Sequence, residues 1–205
     1  MRGRILRVGL TGGLATGKTH VGRTLAQLGC RVLSADLLGH EVLLLGGEAY
    51  DDVIGEFGSG ILAPDGSIDR KRLAGEVFGR PERLERLNSL VHPRVIRREE
   101  LWMAQIAQTE PEAIAVLEAA ILIETGSHRR FDRLILAVCP IDMQIRRHME
   151  RSGDSEEETR ARLARQMPLE EKRPFADHII DTSGARQETD RQVREVYEKL
   201  RQVTL

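Results

Sequence analysis

Eight residues near the start of the chain restrict its possible folds and functions more than any other feature. They match the phosphate-loop pattern G-x-x-x-x-G-K-[ST] in full. The residues of this loop are Gly12, Gly13, Leu14, Ala15, Thr16, Gly17, Lys18 and Thr19. An apolar run at 5–10 precedes the loop and a helical pattern at 18–28 follows it, which is the strand–loop–helix context that the motif requires. We therefore predict a nucleoside triphosphate site.

Each residue type in this loop has a chemical reason to be there. Glycines let backbone N–H groups turn inward around a polyphosphate, at the positive end of the following helix. We expect Lys18 to bridge the terminal phosphates and the Thr19 hydroxyl to ligate Mg²⁺. The dinucleotide pattern G-x-G-x-x-G does not fit, because Leu14 stands where its second glycine is needed. All eight loop residues are accordingly predicted to bind the nucleoside triphosphate.

The remaining pattern predicts a three-layer α/β fold. Short apolar runs without polar alternation, separated by helical segments, indicate a five-stranded parallel sheet with helices on both faces. The predicted strands are 5–10, 31–34, 113–117, 133–138 and 178–180. We predict one domain over 1–205, with its core at 4–45, 112–140 and 176–205, a helical substrate-side part at about 66–108 and a lid at about 141–173.

Local signals divide the substrate-side part into helices. Asp69 is expected to cap a helix that continues through Phe78, and Pro81 is expected to open the next one. The pair His92-Pro93 is expected to break that helix, because the residue before a proline avoids the α region. The stretch 46–66 is polar and rich in glycine, and it ends in a turn signal.

Composition excludes several classes of protein. Aromatic residues are only 3% of the chain and the net charge is −1, so neither base stacking nor a basic field favours nucleic acid. No apolar run approaches the ~18 residues of a membrane span, and the first ten residues lack the apolar segment of a signal peptide. We predict a cytoplasmic protein without nucleic-acid or membrane partners, in which Cys30 and Cys139 are buried free thiols.

Among phosphate-loop proteins, the sequence favours a phosphotransferase. The GTPase pattern DxxG occurs at 36–39 and 181–184, but neither copy follows the third strand, and the only asparagine, Asn88, rules out NKxD. A motor ATPase would need an acidic pair after the third strand, where only Glu118 stands. Asp36 follows the second strand, at the edge where ligand sites of open α/β sheets lie. It either orients and deprotonates an acceptor hydroxyl or caps a helix.

The segment 141–173 is rich in both acids and arginines. The pairs Glu156–Arg160 and Glu158–Arg162 have i,i+4 spacing, which predicts a mostly solvated helix. Arg147 and Arg151 also share a helix face, and they follow a strand on the expected ligand side. Guanidinium groups suit phosphate oxygens and stack on adenine, so a lid that carries them could exclude water during transfer.

Taken together, these motifs resemble the dephospho-coenzyme A kinase family along nearly the whole chain. The matching elements include Ala35-Asp36, Phe57-Gly58, Asp69-Arg70, Leu87-Asn88, His92-Pro93, Glu124, Arg147, Gln166 and Ala176-Asp177. The family pattern usually has aspartate at position 34 and asparagine at position 182, where this chain has Ser34 and Thr182.

The resemblance implies ATP-dependent phosphorylation of the ribose 3′-hydroxyl of dephospho-CoA. It makes Asp36 the catalytic base, Lys18 and Arg147 catalytic contacts to ATP, and Arg151 a further ATP contact. It places Asp36 and His92 on the substrate side, with Mg²⁺ as cofactor and ATP and dephospho-CoA as partners. A nucleoside or nucleoside-monophosphate kinase is the alternative, and a monomer or weak homo-oligomer is expected.

Overall fold

Five parallel strands form a single sheet in the order β2-β3-β1-β4-β5. Their bounds are β1 Leu6–Gly12, β2 Arg31–Ser34, β3 Ile114–Glu118, β4 Arg133–Val138 and β5 His178–Asp181. The computed structural model describes residues 4–204. Residues 1–3 of the N-terminal stretch and Leu205 lie outside the described residues. The predicted α/β class and five-stranded parallel sheet are confirmed, and β2 and β4 have the predicted bounds.

The described chain divides into two compact units. The first contains residues up to 34 and those from 103 onward, and the second contains 35–102. In the first unit the sheet carries the helices α1 Lys18–Gln27, α6 Ile141–Ser152, α7 Glu156–Leu163, α8 Leu169–Lys172 and α9 Arg186–Thr204. Its core is almost wholly aliphatic, with Val8, Leu25, Ile135, Val193 and Leu200 at 0% exposure. Cys30 and Cys139 are buried free thiols, as predicted.

The register of the central strands fixes which side chains meet at one edge of the sheet. Glu118, the last residue of β3, is paired with Leu10 of β1 on one side and with Ser34 of β2 on the other. The carboxyl ends of these three strands therefore lie together. The loop after β1 begins at this same edge.

The second unit is built from helices. Their bounds are α2 Ala35–Glu41, α3 Tyr50–Phe57, α4 Arg70–Val77 and α5 Pro81–Thr109, whose last turns belong to the first unit. The Asp69 side chain accepts hydrogen bonds from the backbone N–H groups of Lys71 and Arg72 at 2.9 and 3.2 Å, so the predicted cap is confirmed. Helix α3 lies inside the glycine-rich stretch that gave no helical signal.

The predicted break at His92-Pro93 is wrong. Helix α5 runs through Pro93 without interruption over 29 residues. A proline inside a helix removes one hydrogen bond and crowds the preceding turn, at a cost of about 3 kcal/mol. Buried side chains after this position, Val95 at 8% and Met103 at 1% exposure, anchor the helix well beyond the proline. Packing of this kind outweighs the local preference.

The segment 141–173 is helical, as predicted, but several of its polar side chains are buried. His148 is 6% exposed, and Thr159 and Lys172 are at 0%. Arg160 pairs with Glu156 at 2.8 Å, as its spacing predicts. The predicted pair of Glu158 with Arg162 is replaced by a capping box between Ser155 and Glu158, and Arg162 contacts Asp154 at 3.1 Å instead. No helix among residues 4–204 is long and apolar enough to cross a membrane.

Candidate active site

The phosphate loop joins the end of β1 to the start of α1 and has an unusual backbone. Ala15 has a φ of 53° and Gly17 a φ of 81°, both in the left-handed region. A Cβ at Gly12 would lie 2.5 Å from Thr16 Oγ1 and 2.6 Å from the Ala137 carbonyl, so only glycine fits there. In the described chain no side chain caps α1 at Gly17. The first turn of α1 therefore points N–H groups at the loop's concave side.

Lys18 and Thr19 project from the first turn of α1 with different partners. The Lys18 ammonium donates a hydrogen bond to the Gly13 carbonyl at 2.7 Å, so the side chain folds back over the loop. The Thr19 hydroxyl donates to Glu118 Oε1 at 2.8 Å. A hydroxyl and a carboxylate are oxygen donors of the type that Mg²⁺ prefers, and Mg²⁺ commonly uses one or two carboxylates together with substrate phosphates and waters. Thr19 and Glu118 could therefore hold this ion.

Arg147 is tied to the loop through Thr182. Its guanidinium donates to the Thr182 carbonyl at 2.7 Å and to the Thr182 hydroxyl at 3.2 Å. The same hydroxyl donates to the Thr16 carbonyl at 2.8 Å. A Cβ at Gly17 would lie 3.2 Å from it. Thr182 was noticed in the sequence only as a departure from the family pattern, yet it connects a predicted ATP contact to the loop.

Arg151 lies in the last turn of α6 and is exposed. Its position one helical turn after Arg147 agrees with the predicted common face, but the side chain extends into solvent.

The buried Cys139 lies near Arg147 and Thr182. Burial raises the pKa of the Cys139 thiol, although the positive charge of Arg147 opposes the shift.

Two further residues approach the loop from the segment after α7. Gln166 Oε1 accepts a hydrogen bond from the Leu14 backbone N–H at 2.8 Å, and the Lys172 ammonium lies 3.3 Å from the Gly12 carbonyl. Gln166 entered the sequence analysis only as part of the family pattern, and Lys172 was missed. The scarcity of lysine, with Lys172 one of four in the chain, was the available signal.

The predicted acceptor-side residues lie in the second unit. Helix α2 begins at Ala35, so Asp36 is inside its first turn rather than at the capping position, and its side chain is exposed. Arg70 contacts the ring of His40, one turn after Asp36, at 2.5 Å. Burial and Arg70 lower the pKa of His40, and Asp36 raises it. His92 is half-buried within α5, and burial lowers its pKa.

Comparison with known proteins decides the family. The dephospho-CoA kinase family model matches residues 6–188. The chain belongs to this family. The dephospho-CoA kinase of Thermobifida fusca is 40% identical over 96% of each chain. That of Aquifex aeolicus is 39% identical over 95% of this chain and 97% of its own.

Solved structures agree with this assignment at the level of the fold. A crystal structure from Thermus thermophilus has a TM-score of 0.81 at 33% identity and covers 96% of this chain and 98% of its own. The dephospho-CoA kinase of Campylobacter jejuni has a TM-score of 0.64 at 23% identity, covering 95% and 96%. A shikimate kinase from Acinetobacter baumannii, at 0.51 and 16% over 96% and 93%, shares only the general fold.

Proposed function

We propose that this chain transfers the γ-phosphoryl group of ATP to the ribose 3′-hydroxyl of dephospho-CoA, giving coenzyme A and ADP. The observation that carries the proposal is the intact phosphate loop between β1 and α1, in a chain that matches the family model over 6–188. The sequence-based expectation of the same activity agrees with it. The roles of individual residues follow from their chemistry and contacts.

The loop and Lys18 form the ATP side of the proposed site. Backbone N–H groups of the loop surround the phosphates, except that of Leu14, which donates to Gln166, and the left-handed residues Ala15 and Gly17 set the path of the loop backbone. Groups that are already oriented stabilise developing charge without further reorganisation. The Lys18 ammonium, which rests on the Gly13 carbonyl, moves a short way to reach the β- and γ-phosphates.

Thr19 and Glu118 are the proposed magnesium ligands. They would hold Mg²⁺, which when bound would neutralise phosphate charge. Ser34 offers no carboxylate where the family usually has one, but the Glu118 carboxylate lies beside it in the sheet register and already contacts the Thr19 hydroxyl. Glu118 therefore supplies the negative charge that Ser34 cannot.

Asp36 is the proposed base. The 3′-hydroxyl oxygen forms a bond to the γ-phosphorus while the bond between that phosphorus and the β–γ bridging oxygen breaks. The hydroxyl proton passes late to the Asp36 carboxylate, and ADP carries away the bridging oxygen. Because Asp36 lies inside α2, helix capping does not explain the residue. His92, with its pKa lowered by burial, is proposed to contact dephospho-CoA as a neutral ring.

Arg147 and Arg151 are proposed to belong to a lid formed by residues 141–173. Arg147 contacts phosphate oxygens after it is released from Thr182, and Arg151 stacks on adenine or pairs with phosphate. Such a lid matters because water competes with the acceptor for the phosphoryl group. We further propose that the enzyme works as a monomer or weak homo-oligomer on small molecules, without nucleic acid or membrane, in the cytoplasm where ATP is available.

A product-mass experiment tests the proposed function. Purified protein is incubated with ATP, Mg²⁺ and one acceptor at a time, and the acceptor's mass is measured. We expect a gain of one phosphate on dephospho-CoA but not on AMP, adenosine or pantetheine. Phosphorylation of AMP or adenosine instead would make the chain a nucleotide or nucleoside kinase, and ATP binding without any product would make it a non-catalytic nucleotide-binding protein.

A further inference from the structure

A fully buried lysine lies behind the phosphate loop. Lys172, the last residue of α8, is at 0% exposure. Its ammonium lies 2.7 Å from Glu124 Oε1, 3.0 Å from the Ala120 carbonyl and 3.3 Å from the Gly12 carbonyl. Three N–H donors thus face three oxygen acceptors, which is the full donor capacity of a lysine.

The same part of the chain holds the loop at a second point. Glu124 Oε1 also accepts a hydrogen bond from the Met167 backbone N–H at 3.1 Å. The adjacent Gln166 accepts from the Leu14 N–H at 2.8 Å. Residues 166–172 therefore bind two backbone groups of the loop, the Gly12 carbonyl and the Leu14 N–H, on either side of Gly13. We call Gln166, Lys172 and Glu124 the loop clasp.

Packing alone does not require the charged and polar groups of the loop clasp. Removing a charged lysine from water is costly, and a hydrocarbon side chain of similar volume fills such a space at no loss of stability in many proteins. A hydrocarbon cannot donate a hydrogen bond to the Gly12 carbonyl, so it cannot hold that peptide group as the Lys172 ammonium does. Gly12 and Leu14 flank Gly13, whose carbonyl receives the Lys18 ammonium. Shifting either neighbour would displace the resting position of Lys18.

We propose that Lys172, Glu124 and Gln166 are positioning residues that set the geometry of the phosphate loop for ATP. They touch no reacting atom and act through the loop backbone. Residues 163, 164 and 166–170 also line a cavity of about 530 Å³ that opens beside Gly13. Loop geometry and the position of the segment after α7 are consequently linked. This inference rests on the proposed function for its kinetic readout, but ATP affinity tests it without any acceptor.

The decisive variant replaces Lys172 and Glu124 together. Lys172→Met alone would leave the Glu124 carboxylate buried without its positive partner. A loss of activity could then come from misfolding as well as from a displaced phosphate loop. In the double variant Lys172→Met/Glu124→Gln no buried charge remains, and the Met167 N–H keeps an oxygen acceptor. We expect a folded protein with turnover reduced about 10²-fold and weaker ATP binding, because small displacements in a pre-formed site have effects of this size. The KM for dephospho-CoA should stay within about twofold.

Gln166→Met is an independent test of the proposal that removes no buried charge. It removes the acceptor for the Leu14 N–H at a half-buried position and should weaken ATP binding about tenfold, the effect of one hydrogen bond. Gln187→Met, an exposed change on α9, is the matched control. ATP affinity is measured by calorimetry well below the Tm, together with kcat and both KM values.

Each outcome decides for or against the clasp. A folded double variant with the ATP affinity and turnover of the unmodified enzyme would overturn the proposal. If the double variant does not fold, unchanged ATP affinity in Gln166→Met overturns it instead. If the unmodified protein binds ATP but does not phosphorylate dephospho-CoA, the proposed function fails, and the calorimetric comparison still decides on the clasp.

Discussion

The phosphate loop and the helical unit at 35–102 are held in shape by different means. Around the loop, distant segments converge on backbone groups: the Thr182 hydroxyl meets the Thr16 carbonyl at 2.8 Å, and Gln166 meets the Leu14 N–H at 2.8 Å. In the helical unit, partly exposed ion pairs join α5 to α2 and to the turn that follows it, such as those of Arg98 with Glu41 and Glu48 at 2.7 Å. Exposed ion pairs contribute little stability. The loop is therefore held through its backbone groups, whereas the helical unit depends on its apolar core, in which Val42 and Val53 are at 0% exposure.

The largest expected effect on turnover comes from a single side chain of the helical unit, Asp36. Asp36→Asn should lower turnover about 10²–10⁴-fold, because an amide cannot accept the hydroxyl proton. ATP affinity and Tm should be unchanged, since the side chain is exposed and keeps its shape. Turnover, ATP affinity and thermal unfolding are measured on one preparation.

Asp51→Asn is the matched control, because Asp51 occupies the first turn of α3 as Asp36 occupies that of α2. Its turnover should equal that of the unmodified enzyme. If Asp36→Asn also retains full turnover, Asp36 is not the base, and the helical unit loses its proposed catalytic residue.

On the loop side, Lys18→Ala should lower turnover by about 10²-fold or more. The substitution removes a positive charge from the transferring phosphoryl group, and groups of this kind contribute a few kcal/mol to the barrier. Steady-state kinetics measures the effect. Lys199→Ala, at an exposed position on α9, should change nothing. Near-normal turnover in Lys18→Ala would mean that the loop does not bind the reacting phosphates.

A smaller effect is expected from Arg147→Ala. Turnover should fall about tenfold, and ADP release without phosphorylated product should rise, because a less complete lid admits water. The ratio of ADP to coenzyme A in one reaction is the measurement. Arg191→Ala serves as control, since Arg191 pairs along α9 with Glu188 and Glu195 at 2.5 Å. An unchanged ratio in Arg147→Ala would contradict its place in the lid.

The smallest effect concerns the ion pairs of the helical unit. The hydrogen bond from Arg98 lowers the pKa of Glu48, so the pair stabilises the fold above the ordinary glutamate pKa and is lost as pH falls through the lowered value. Arg98→Ala should cost about 1 kcal/mol or less at neutral pH, given the exposure of both groups. Urea unfolding at about pH 7 and about pH 3 should show the difference shrinking in acid. A difference that grows in acid would contradict the pairing.

The sequence predicted the sheet and the loop because both depend on local signals. Buried parallel strands are apolar runs, and β2 and β4 have the predicted bounds. The continuation of α5 through Pro93 depends on tertiary packing that no local signal contains. Lys172 lies in a charged segment that looks solvated, and its backbone acceptors are 52 and 160 positions away in the chain. Burial was hardest to predict for a residue whose partners are distant in the sequence, as those of Lys172 are.

The two buried thiols have a practical consequence for measuring motion in this enzyme. Burial raises the pKa of Cys30 to about 12, and it also raises that of Cys139. Both thiols therefore stay protonated at neutral pH, and thiolate is the form that reacts with maleimide dyes. A cysteine introduced at Arg151 and another at Glu82, both exposed, would be labelled first. The native sequence therefore accepts a pair of fluorophores without prior removal of its own cysteines.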